Sequence, residues 1–60
     1  MVWVIQISPF EKNWLSSNGL FLPDFDKAVK FKDWGEARLA ARSLNLDKVI
    51  VISSFNVLVN

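Results

Sequence analysis

Asp24 with Asp26 and Asp33 with Glu36 are carboxylate pairs whose spacing could share a metal ion or a proton. Hard cations need several oxygen ligands, and the alternating Asp/Asn/Gly pattern of a calcium loop is missing. His and Cys, the most common proton shuttles, nucleophiles and soft metal ligands, are absent from the 60 residues. Turn and capping preferences give these acids ordinary work: Asp24 and Asp26 as turn residues, Asp33 and Glu36 at a helix start. Gly19 and Gly35 stand alone, whereas a phosphate-cradling loop needs several glycines between a strand and a helix. The residues predict no catalytic centre, no cofactor and no metal.

Basic residues offer a different chemistry. Lys27, Lys30 and Lys32 cluster ahead of the predicted helix, and Arg38 and Arg42 stand four apart on one flank of it. Such side chains contact phosphates, and Trp14 or Phe10 could stack a base beside them. Against a nucleic-acid role, seven Lys/Arg are nearly cancelled by six Asp/Glu, leaving a net charge of +1, and a solvated helix face carries Arg for solubility anyway.

The elements that must position these residues begin with a strand over residues 2–7, ended by Ser8-Pro9 because proline cannot donate to a ladder. A loop follows through Phe10, Glu11, Lys12 and Asn13. Trp14-Leu15-Ser16 then approaches Asn18-Gly19, a dipeptide suited to the positive φ of a tight turn, and Leu20-Phe21-Leu22 leaves it, which predicts a hairpin. After a turn at residues 23–26, residues 28–32 alternate as a short strand with Val29 and Phe31 inward. The i, i+3, i+4 spacing of Phe25, Ala28 and Val29 fits a helical turn equally.

A helix is predicted over residues 33–44. Asp33 caps its first N–H groups, with Glu36 three positions on in a capping-box arrangement. At 100° per residue, Trp34, Ala37, Ala40, Ala41 and Leu44 form one apolar stripe facing a sheet. Asn45 tolerates the left-handed conformation that ends a helix. Residues 48–53 form the last strand, and the apolar tail after Ser54 has three open fates: a hairpin onto that strand, extension of a neighbouring sheet, or docking on a second copy. The resulting fold class is α+β, a single domain with a small antiparallel sheet of three to four strands packed on one α-helix, in the order β-β-β-α-β with a possible extra C-terminal strand.

The composition, 52% apolar and 22% charged, is that of a folded domain. A chain this short buries roughly 60% of its unfolded surface, and without Cys it has no disulfide to reinforce the core. The first and last predicted strands are apolar on both faces, as in strands buried on both sides, yet one predicted helix covers only one. A second copy is therefore expected to hide Val2, Val4, Val57, Leu58 and Val59, giving a homodimer. Trp3, Trp34, Phe21 and Phe31 suit the core. Phe10, Trp14 and Phe55, in loops or beyond the last strand, and Leu39, flanked by Arg38 and Arg42, are the candidate partner-binding residues, because aromatics and Arg are enriched where binding energy concentrates. No stretch approaches the ~20 apolar residues of a membrane span, and the start lacks a signal-peptide pattern, so a cytoplasmic location is expected.

The succession of an N-terminal apolar strand, "WLSSNGLFL", "DFDKAVKF", "EARLAARSL" and "KVIVI" resembles small bacteriophage-encoded α+β proteins, in which an A-x-x-F segment precedes an E-A-x-x-A-A helix. Ala28, Phe31, Ala37, Ala40 and Ala41 carry the likeness, and all are packing residues. The resemblance implies a compact β-β-β-α-β domain and a non-enzymatic role as an inhibitor or modulator that covers a site on a host macromolecule, with the host cytosol as its location. A nucleic-acid-binding protein using Lys27, Lys30, Lys32, Arg38 and Arg42 is the alternative, and a structural or assembly subunit a third.

Overall fold

The computed structural model describes residues 1–59, the side chains of Leu58 and Val59 excepted. A first strand, β1 (Trp3–Ser8), turns at Pro9-Phe10 into β2 (Glu11–Leu15), which pairs with the two-residue β3 (Phe21–Leu22). Helix α1 (Trp34–Ser43) and strand β4 (Ile50–Ser53) follow, and a short helix α2 (Ser54–Val59) ends the order. All pairings are antiparallel, in the order β3-β2-β1-β4. The fold class is the expected one: a four-stranded antiparallel sheet on one main helix.

Local chemistry accounts for the boundaries. The predicted hairpin is present: Trp14 pairs with Leu22 and Leu15 with Phe21. Gly19 sits at φ +83° in the turn, where a Cβ is strained. The residues expected as a loop at 11–13 instead begin β2, with a register irregularity between Gln6 and Ser8 on β1 that absorbs an extra residue. Asp33 Oδ2 accepts from Glu36 N–H at 3.2 Å and starts α1, while Asn45 at φ +58° ends it. The ambiguous 25–32 segment divides between its two readings. Phe25–Lys27 forms a 3₁₀ turn. Ala28 and Phe31 then make isolated bridges to Ser16 and Trp3, and Ala28 is buried whereas Val29 is only half-buried.

Each sheet face has its own cover, and this corrects the expectation that another chain completes the second one. On one face Ile5 lies with Ala37 and Ala41 of α1, all buried; the alanines allow close approach of helix to sheet. On the other, Val4, Trp14 and Ala28 form a cluster onto which Phe25, Ile52 and Val57 pack. The tail is therefore neither a strand nor an arm. Ser53 Oγ accepts from Asn56 N–H at 3.2 Å, an N-cap that turns the chain into α2 and lays Val57 over the sheet.

Two of the self-association residues thereby lose the role expected of them. Val4 is completely buried within its own chain and Val57 packs on the same core. Val2 is half-buried where Ser54 N–H donates to its carbonyl at 2.8 Å. The side chains of Leu58 and Val59 lie outside the described residues.

Candidate functional site

Trp14 and Trp34 exchange the roles expected of them. Trp14, a candidate contact residue, is 6% exposed; its Nε1–H donates to Gln6 Oε1 at 2.9 Å, and its ring meets Phe25 edge-on at 5.4 Å. Gln6 Nε2–H in turn donates to the Ser8 carbonyl at 2.8 Å. Among the described residues no buried side-chain polar atom lacks a partner. Trp34, a candidate core residue, is 45% exposed and carries the Arg38 guanidinium over its ring at 5.2 Å.

That Trp34–Arg38 pair forms one wall of an open cleft of about 390 Å³ between α1 and β4. Ala41, Arg42 and Leu46 continue the helix side, and residues 49–51 form the strand side. Leu46 is half exposed. The lining holds two cations and no acid, and among the described residues no carboxylate pairs with either guanidinium. The cleft is apolar in its floor and positive at its rim.

Of the candidate contact residues, only Arg38 and Arg42 line it. Phe10 stands at the β1–β2 turn, Leu39 on the outer side of α1 and Phe55 on α2, all strongly exposed on three separate elements. Trp34, Leu46, Val49 and Val51 were not foreseen as site residues. The signal that could have found them was the Trp34/Arg38 spacing of four, which places an aromatic under a cation on one helix face.

The other chemistry-bearing groups have structural partners. Asp24 Oδ1 accepts from Asp26 N–H at 3.0 Å, as Asp33 does from Glu36, so both acid pairs serve local backbone. Lys30 Nζ donates to the carbonyls of Phe25 and Asp26 at 2.7 and 3.0 Å and lies 4.8 Å over the Phe25 ring. It ties down the 3₁₀ turn, and all three lysines, Lys27, Lys30 and Lys32, are exposed. Among the described residues no three His, Cys, Asp or Glu gather at one point, and no helix is long and apolar enough to cross a membrane.

Compared with protein-family models, curated proteins and solved structures, the chain finds no match.

Proposed function

We propose that this chain is a non-enzymatic protein-binding module that acts by covering a site on a macromolecular partner, with the α1–β4 cleft as its contact face. The observation that carries this reading is the exposed Trp34 with Arg38 stacked on it beside Leu46. Trp and Arg are the residue types in which interface binding energy concentrates, and a partly desolvated pair at the edge of an apolar floor is the arrangement such contacts use. The resemblance to small phage proteins adds a direction for the search, a bacterial host enzyme in the cytosol, and rests on sequence pattern alone.

The test is a comparison rather than a single capture. Tagged chain and its Trp34→Ala/Arg38→Ala variant are passed over nuclease-treated bacterial lysates, and bound proteins are quantified by mass spectrometry. A stoichiometric protein held by the parent chain and lost by the folded variant supports the reading. Equal capture by both, or turnover of a substrate by the purified chain, overturns it.

A second reading has its own observation: a cationic rim next to an exposed indole also fits single-stranded nucleic acid, which combines phosphate contacts with stacking. Its contacts would centre on Arg38 and Arg42, with exposed Lys27 and Lys32 as further candidates; Lys30 is already engaged. Its signature is salt dependence, log affinity falling with log salt by roughly 0.7 per phosphate neutralised on a single strand.

A further inference from the structure

The two edges of the sheet are built differently. β3 is two residues long and is followed at once by Pro23, both of which discourage strand addition. β4 carries Ile50-Val51-Ile52 with no charge, proline or glycine. Its bonding side can be worked out from the ladder. Ser54 N–H donates to the Val2 carbonyl, and the pairs Val4/Ile52 and Gln6/Ile50 follow at steps of two, so these are the hydrogen-bonded pairs of an antiparallel ladder. Trp3 conforms to this, since its N–H and C=O turn away from β4 to bond Phe31 on the other side. Val51, opposite Ile5, therefore aims its N–H and C=O outward from the sheet. The Val51 side chain points to the α1 face, into the cleft.

From this geometry we infer that the cleft receives an extended, acidic segment of a protein partner, which adds to β4 as a fifth strand, bonds the Val51 backbone and places carboxylates on Arg38 and Arg42. The inference rests on the protein-binding reading and names the class of partner. Charge selects the occupant: the lining has two arginines and no acid, so an acidic strand is complementary, whereas a two-fold second copy would bring four guanidinium groups together. Spacing agrees. Arg38 and Arg42 are one helical turn apart, ~6 Å along the axis, close to the ~6.8 Å between alternate residues of a strand. The expected segment thus has acids at alternate positions facing α1. Main-chain bonds supply affinity, and the cleft supplies the choice of side chains.

The experiment selects a random octapeptide display library on the immobilised full chain and, separately, on its Arg38→Glu/Arg42→Glu variant. Sequences with Asp or Glu at positions i and i+2 should be enriched on the parent chain and lost on the variant. A synthetic peptide of the enriched sequence should bind the variant at least about tenfold more weakly, the loss of one charge-assisted hydrogen bond. Amide exchange read by NMR should show the Val51 N–H slowed on addition of that peptide, a readout that needs no substitution in β4. Enrichment without acids, or an acidic peptide that leaves Val51 unprotected, overturns the strand-addition inference while the capture comparison above still decides the protein-binding reading. Two further results also overturn it: tight binding of octathymidine with no peptide enriched, and a Val51 amide already protected in a chain of doubled mass by light scattering, the edge then being filled by a second copy.

Discussion

Removing Gln6 from under Trp14 tests the core through the hydrogen bond that joins these two buried side chains. Both residues are 6% exposed, and the indole N–H has Gln6 Oε1 as its partner at 2.9 Å. Gln6→Met keeps the length of the side chain but leaves a buried donor unpaired and deprives the Ser8 carbonyl of its bond, a cost of about 1–3 kcal/mol. Trp14→Phe leaves the Gln6 oxygen unpaired and also removes part of the ring packed on Phe25, about 2–4 kcal/mol in all. A domain of 60 residues has about 3–9 kcal/mol of total stability, so either change consumes a large share. The melting temperature should fall by about 4–8 °C for each kcal/mol lost. In the double variant no polar group is left without its partner across this bond, so the combined loss should be smaller than the sum by about 1 kcal/mol or more. Urea unfolding followed by far-ultraviolet circular dichroism gives all four stabilities without relying on Trp14 fluorescence. Losses that add to within about 0.5 kcal/mol would show that the bond contributes nothing specific.

Asp33→Ala should lower stability by about 1 kcal/mol through loss of the Glu36 N–H cap, measured in the same urea titration, with Asp33→Asn close to the parent. Asn45→Gly, which relieves an L residue held at φ +58°, should raise the melting temperature, whereas Gly19→Ala at φ +83° should lower it even though nothing lies within 4 Å of the added carbon. Ser53→Ala should remove the cap of α2, so hydrogen exchange should speed up at Asn56 before it does in β1. Ile5→Ala, at a completely buried side chain, should lose about 2–5 kcal/mol, read as a lower urea midpoint in the same titration.

Helix α1 and the 16–20 turn were legible because their signals are local. Asp33 three residues before Glu36, Asn45 at the helix end and Asn18-Gly19 each specify backbone geometry within a few positions. The two tryptophans were misplaced because their environments are not local. A helical wheel puts Trp34 in line with Ala37 and Ala41, but it cannot tell that the first residue of α1 lies at the rim of a cleft, with its ring open to solvent and stacked on Arg38. Trp14 is buried by Gln6 from the neighbouring strand and by Phe25 from beyond the hairpin, contacts that no window around residue 14 contains. The tail, rich in Val and Leu, left three fates open and a helix was not among them, because β-propensity measures fit to a half-buried surface rather than a backbone preference. The hydroxyl of Ser53 at the end of β4 is what redirects it.

Covering the second sheet face from within the chain also moves the place where a partner can act. A strand apolar on both sides signals two buried faces, and here the 3₁₀ turn and α2 cover the second one through Phe25 and Val57, which pack with Ile52 of β4 on the same core. These covers pack on the faces of the sheet, β4 included, but not along its free edge, because α2 leaves β4 at Ser54 and turns onto the face opposite α1. The outward N–H and C=O of Val51 stay beside the apolar floor, under two cations. The same device that removes the need for a second copy on the sheet face thus leaves an open edge with a positive rim, which is where the search for a partner belongs.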